Sequence, residues 1–243
     1  MRPEEQEAGV RDRDRIPTIV VGDIHADFDT YRALLRSEEA KHPGQRLSSI
    51  QVGDYGIGRF SESEARNVRR FHLTHRRHCF IRGNHDDPDD VFAAPGSIPD
   101  GAVLGRILFL GGAESTQRGL PSLGDTEMTR EEMDEVLQSL RRSPETPEVI
   151  VSHDAPQSVA ERLWRETGGQ VPAGSSEEPS GQRLSTTRTR LFLDEVYRVV
   201  QPALWLFGHW HHPWAYQDGP THFRCVGYHE AFTLPLPWRS ERT

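Results

Sequence analysis

The run Cys79-Phe80-Ile81-Arg82-Gly83-Asn84-His85-Asp86 decides how this chain is read. Three apolar residues end at a glycine. Beyond it come a neutral oxygen ligand (Asn84), a ligand or proton carrier (His85) and a carboxylate able to orient it (Asp86), with a guanidinium fork (Arg82) before it. That is the profile of a strand tip carrying a site. The same residues also fit an ordinary Gly-Asn turn followed by a surface His-Asp pair. The pentapeptide 82–86 alone leaves both readings open.

Working outward, the pattern recurs. Ile16 to Val21 is a β-branched run ending in Gly22-Asp23-Ile24-His25, and its near-continuous apolar character predicts a strand buried on both faces. Phe28, Tyr31, Leu34 and Leu35 then fall at helical spacing from about Asp27 to Glu39, with Asp27 or Asp29 as N-cap. Ser48 to Val52 predicts a second strand, ending in Gly53-Asp54-Tyr55-Gly56. A polar, basic helix fits 61–75, where the charge run reads as a solvated face and His72, His75 and His78 as a basic surface. Tyr55 either lines a cleft or packs.

Three consecutive strand–site–helix units predict an α/β fold with parallel pairing. In open α/β sheets ligands lie beyond the carboxyl ends of the strands, where Asp23, His25, Asp54, Asn84 and His85 all fall. Further along, residues 87–101 read as a loop and Ala102 to Leu110 as a hairpin around Gly105-Arg106. A helix opens at Thr129, with Glu132 completing a capping box. Val149 to Val151 forms a strand ending in Ser152-His153-Asp154. Helices fit 157–165 and 187–200, and a strand over 203–207 ends in Gly208-His209-Trp210-His211. Two short strands near 214–217 and 222–226 precede a tail containing proline and tryptophan.

Composition sets bounds. The 243 residues, 35% hydrophobic and 27% charged, suit one core with polar insertions. We expect a polar, disordered lead-in over 1–15, a single domain over 16–243, and within it a mobile insertion over the Gly-, Ser- and Glu-rich stretch 166–185. A formal net charge of −8 argues against non-specific nucleic-acid binding, although bound divalent cations would neutralise some acidic groups locally. Cys79 and Cys225 form no CxxC pair and read as buried thiols in a reducing compartment. No apolar stretch approaches the roughly 20 residues of a membrane span, and the charged, Glu- and Arg-rich first residues predict no secretory signal. A soluble, cytoplasmic protein without membrane contact is expected.

Five strand ends thus offer Asp23, His25, Asp54, Asn84, His153, His209 and His211. Carboxylate, amide oxygen and imidazole together suit Mn²⁺, Fe or Zn²⁺ better than Ca²⁺. Seven donors are too many for one ion with room for a substrate, and suit two ions sharing a bridge. Alternation along an extended segment puts Asp23 and His25 on one side, and likewise His209 and His211.

The ordered set GDIH, GDYG, GNHD, SHD and GHWH resembles the calcineurin-like metallophosphoesterases, over residues 16–226. The resemblance implies a four-layer α/β/β/α sandwich, two packed mixed β-sheets flanked by helices. It implies two divalent metal ions, with Mn²⁺ favoured. Asp23, His25 and His211 would ligate the first, Asn84, His153 and His209 the second, and Asp54 would bridge them. Two cations about 3.5–4 Å apart can acidify a bridging water for attack on phosphorus. His85 resembles the family histidine that protonates the leaving oxygen, and Asp86 would orient it. Arg82 resembles the phosphate-gripping arginine of Ser/Thr protein phosphatases, which favours a phosphomonoesterase. Phosphodiesterase action on cyclic nucleotides, 2′,3′-cyclic phosphates or nucleic-acid ends, or nucleotide pyrophosphatase action, is the alternative; a non-catalytic binding scaffold is a remote one. The expected partners are a phosphorylated small molecule, a nucleotide or a phosphoprotein. Protein phosphatases carry an Asp-Arg pair after the second motif. Here Arg59 is displaced by one residue, and GHWH fits the broader family better, which counts against protein substrates.

Overall fold

Strands that read as unbroken apolar runs need cover on both faces, and the architecture supplies it. The computed structural model describes residues 17–114, 127–169 and 184–234. The expected lead-in over 1–15 and residues 170–183 of the expected insertion lie outside them.

The chain alternates strand and helix at first: β1 (Thr18–Val21), α1 (Phe28–Lys41), β2 (Ser48–Gln51), α2 (Glu62–Thr74) and β3 (His78–Phe80). A short α3 (Pro88–Val91) precedes the hairpin β4 (Val103–Leu104) and β5 (Ile107–Leu110). Then follow α4 (Arg130–Arg142), β6 (Val149–Ser152), α5 (Gln157–Glu166), α6 (Arg188–Val200), β7 (Leu204–Phe207), β8 (Trp214–Asp218), β9 (Thr221–Cys225) and β10 (Ala231–Thr233).

One sheet has the order β10-β1-β2-β3 and the other β4-β5-β6-β7-β9-β8. β1, β2 and β3 run parallel with β10 antiparallel at the edge, and β5, β6, β7 and β9 run parallel between antiparallel β4 and β8. The α/β/β/α sandwich of two mixed sheets flanked by helices is therefore the fold.

Strand alternation assigns each side chain to a layer. Val20 and Ile50 of the first sheet meet Val149, Val151, Leu204 and Leu206 of the second in the core between the sheets. Ile19 and Val21 face outward onto Tyr31 and Leu35 of α1 and Val68 of α2. Ile150, Trp205 and Phe207 pack outward against Leu163, Leu193 and Val196 of α5 and α6.

Most expected elements lie within a residue or two of their predicted ends. The capping box at Thr129 and Glu132 is formed, and Asp27 caps α1 by accepting from the Thr30 amide. Two elements differ from expectation. Pro88–Val91 is helical within the expected loop, opened by Asp87 accepting from the Asp89 and Asp90 amides. The tail adds β10 beside β1, with Ala231 opposite Val21.

Candidate metal centre

The five motif loops converge at one edge of the sandwich, and glycine makes the approach possible. A Cβ on Gly83 would lie 2.1 Å from both the amide nitrogen and Oδ1 of Asp54, and one on Gly208 would lie 2.2 Å from Asp23 Oδ1. The loops pack backbone against carboxylate, so a glycine is required at each of these two contacts. Backbone strain concentrates at the same place. His25, Asp54, His209 and His211 all have positive φ, at 42°, 54°, 67° and 53°. Non-glycine residues adopt this region rarely, and such strain clusters at functional sites.

All seven expected donors meet there. Asp23, His25, Asp54 and His211 form one group and Asp54, His153 and His209 a second, with ligand atoms within 4.8 Å of one another in each. Asp54 belongs to both. His25 Nε2 lies 2.8 Å from His211 Nε2 and 3.6 Å from Asp54 Oδ2, and His211 Nε2 lies 3.1 Å from Asp23 Oδ2. On the other side His153 Nε2 is 3.4 Å from Asp54 Oδ1 and 3.0 Å from Asn84 Oδ1.

The chemistry of these donors fits cations. His153 Nδ1 donates to the Val52 carbonyl at 2.8 Å, which leaves a lone pair on Nε2 in the neutral ring. That lone pair points at two further acceptors, Asn84 Oδ1 and Asp54 Oδ1. Acceptors facing one another repel unless a proton or a metal ion stands between them. The Asp23 and Asp54 carboxylates are buried, and buried anions need compensation. Burial opposes a charge on His153, yet Asp54 and Asp23 outweigh it and raise its pKa to about 10. His209, lacking so close a carboxylate, is pushed down to about 4 by burial. The demand for positive charge is therefore centred on Asp54, where two ions would share a ligand. A carbonyl fixing the tautomer of a ligating histidine is the usual outer support of such sites.

Against known proteins, the model of the calcineurin-like phosphoesterases matches residues 16–213. The chain belongs to this family. No curated protein matches the sequence. Among solved structures, a candidate 5′-nucleotidase of Staphylococcus aureus, solved with α-ketoglutarate, is similar over 90% of this chain at 12% identity and a TM-score of 0.54. This chain spans about half, 50%, of that protein's length. A Thermus thermophilus protein is similar over 90% of this chain and 98% of its own, at 12% identity and a TM-score of 0.49. At 12% identity the likeness to the first of these concerns the fold alone.

Calcineurin-like phosphoesterase chemistry has further requirements, and here two expected contacts differ. Asp86 does not orient His85. Its carboxylate accepts four backbone N–H groups instead, from Gly83 and Tyr55 at 2.8 and 3.2 Å on Oδ2, and from Gly56 and Ile57 at 2.6 and 2.8 Å on Oδ1. It ties the third motif loop to the second. Arg82, the expected phosphate fork, makes an ion pair with a neighbouring carboxylate. It is 4% exposed, its Nε bonds Asp100 Oδ2 at 2.6 Å, and its guanidinium lies over Phe92. The Nε of this strand-end arginine is thus taken up by a half-buried carboxylate 18 residues on.

The side chain hydrogen-bonded to the His85 ring is that of Arg59. Its Nε donates to the His85 carbonyl at 2.9 Å, and its Nη2 lies 3.0 Å from Nδ1. His85 itself donates its amide to Asp54 Oδ1 at 2.8 Å, and its ring stands 5.2 Å from that of His25. The signal for Arg59 was its distance after Asp54, displaced by one from the protein-phosphatase spacing. Gly56 and Gly58, both with positive φ, let the loop take up that displacement.

Tyr55 packs. It is fully buried, stacks on Phe80 at 4.5 Å, and its hydroxyl is 2.9 Å from His72 Nε2. His72 and His78 are correspondingly buried and not a basic surface; only His75 of the three is exposed. The helical moment of a charged segment conceals a buried histidine, because histidine counts as polar in any periodicity.

Proposed function

We propose that this chain hydrolyses small phosphate esters, phosphomonoesters in preference, using two divalent cations, Mn²⁺ in preference. The observation that carries the reading is the meeting of seven donors in two groups that share Asp54, with His85 bonded to that same carboxylate. Asp23, His25 and His211 would hold one ion, Asn84, His153 and His209 the other, and Asp54 both. Two such ions supply charge at the phosphoryl oxygens and acidify a water for in-line attack.

The remaining work falls to the chain. A guanidinium can only donate, so Arg59 makes His85 Nδ1 an acceptor and places the ring proton on Nε2. Burial lowers the His85 pKa, which agrees with a neutral ring. His85 then meets the ester oxygen as a neutral hydrogen-bond donor, a role imidazole fills in other enzymes. Arg59 is exposed, and its remaining N–H groups offer a fixed positive charge beside His85. A monoester carries one more ionisable oxygen than a diester and gains more from that charge. This, in place of Arg82, supports monoester preference.

Two buried free cysteines support a reducing, cytoplasmic setting. Among the described residues no helix is long and apolar enough to cross a membrane.

The test is a matched pair of p-nitrophenyl phosphate and bis(p-nitrophenyl) phosphate with added Mn²⁺. Faster turnover of the monoester is expected. Preference for the diester would overturn the monoester assignment, and hydrolysis of neither would overturn the enzyme.

A further inference from the structure

The loop between β9 and β10 places Tyr228 against the first group of donors. Its ring centroid lies 5.8 Å from that of His25 and 5.3 Å from that of His211, and it stacks on His229 at 3.8 Å with a 22° interplanar angle. Tyr228 is nevertheless 44% exposed. The other exposed large hydrophobic side chains among the described residues are Leu73, Phe92, Val103 and Leu191, and none of them stands against a donor ring. What sets Tyr228 apart is its place: an aromatic face open to solvent directly beside the donor rings of His25 and His211 is a surface on which a planar group can stack.

The loop that carries the ring is also held firmly. The Tyr228 amide donates to the His211 carbonyl at 3.4 Å and the His229 amide to the Asp23 carbonyl at 3.2 Å. Glu230 closes the loop, accepting from the Gly227 amide at 2.7 Å and from Arg224 at 3.1 Å, while its carbonyl accepts from Gly22 at 2.9 Å. The loop presses so closely on the first motif that a Cβ on Gly22 would lie 2.0 Å from the Gly227 oxygen. His229 takes a positive φ of 54°, and its buried Nε2 has no hydrogen-bond partner, Asp27 Oδ2 standing 3.7 Å away. Strain and an unsatisfied buried nitrogen are both costs, and what they secure is the position of two stacked rings.

We infer that Tyr228, backed by His229, is a stacking platform for the organic part of the substrate, so that the preferred esters carry a planar ring, as in nucleoside or aryl phosphates. The inference rests on the proposed phosphoesterase reading and adds to it the class of leaving group. With the phosphoryl group at the shared centre, a planar substituent directed away from His85 across His25 lies on the Tyr228 face. A sugar or polyol phosphate has no flat face to place there. Stacking of one ring on an aromatic side chain corresponds to roughly a 10-fold gain in affinity.

The test uses phosphonates, whose P–C bond cannot be hydrolysed, so that affinity is read without turnover. Titration of Mn²⁺-loaded protein with phenylphosphonate and methylphosphonate should show about a 10-fold preference for the phenyl compound. Tyr228→Ala should abolish the preference and leave methylphosphonate affinity unchanged, whereas Tyr228→Phe should keep it. A preference absent from the wild type, or surviving in Tyr228→Ala, overturns the platform. Binding of neither phosphonate overturns the platform and the phosphate site together. An intact preference in a protein that hydrolyses no ester overturns only the catalytic reading.

Discussion

Arg59 holds His85 at two points, through the main-chain oxygen at 2.9 Å and through ring Nδ1 at 3.0 Å. The pairing fixes both the place of the imidazole and the nitrogen that bears its proton. It also puts a positively charged group where a carboxylate was expected. A histidine oriented by a carboxylate is pushed towards the imidazolium; one oriented by a guanidinium is kept neutral.

Arg59→Ala should therefore lower kcat by about 10-fold, the equivalent of roughly 1.4 kcal/mol for misplacing one hydrogen-bond donor, while bound metal stays at the wild-type level. Arg59→Lys should restore little, since an ammonium cannot make the two-point contact. Steady-state kinetics with parallel metal analysis decides the matter. An unchanged kcat in Arg59→Ala would remove Arg59 from the site.

Asp86→Ala should act on stability before catalysis. It strands four backbone donors inside the protein, and unsatisfied buried donors cost about 1–3 kcal/mol each before relaxation and water entry. A loss of roughly 3 kcal/mol or more in urea unfolding is expected. A variant that unfolds like the wild type but turns over slowly would return Asp86 to the orienting role.

Much of this was legible in the sequence because the physics there is local. A β-branched run followed by glycine and a short polar motif reports a buried strand and its functional end at once. Five apolar runs end in such a motif, four of them through glycine and one through Ser152, and between them they carry all seven donors. The expectations that did not hold concern partners distant in sequence. Asp86 follows His85 directly, yet the chain turns at 84–86 and carries its carboxylate toward the amides of Gly83 and of 55–57, partners that adjacency in sequence does not report. Arg82 found Asp100 at a separation of 18 residues, in a stretch with no periodicity to locate it. β10 escaped because Ala231–Thr233 is three residues long and acquires strand character only by pairing with β1.

Acid should destabilise the fold through two histidines remote from the donors. Burial lowers His72 and His78 to about 4, below the ordinary histidine value near 6.5. Between those values the unfolded chain takes up protons that the folded chain refuses, so stability is full above about pH 6.5 and declines as pH falls toward 4. Each histidine contributes up to about 1.4 kcal/mol per pH unit in that window. Asp86, raised to about 6 by burial and by Asp54, partly offsets them. Urea unfolding in chelator at pH 7.5, 5.5 and 4.5 should show falling midpoints; rising midpoints would contradict the buried neutral rings.

The central claim is that two groups of side chains share Asp54 and together hold two ions. Metal stoichiometry after equilibration with Mn²⁺ and removal of free ion tests it most directly. Two ions per chain are expected, falling to about one in His209→Ala and to less than one in Asp54→Ala, with folding monitored by circular dichroism. Two ions retained by folded Asp54→Ala, or none bound by the wild type, would contradict it.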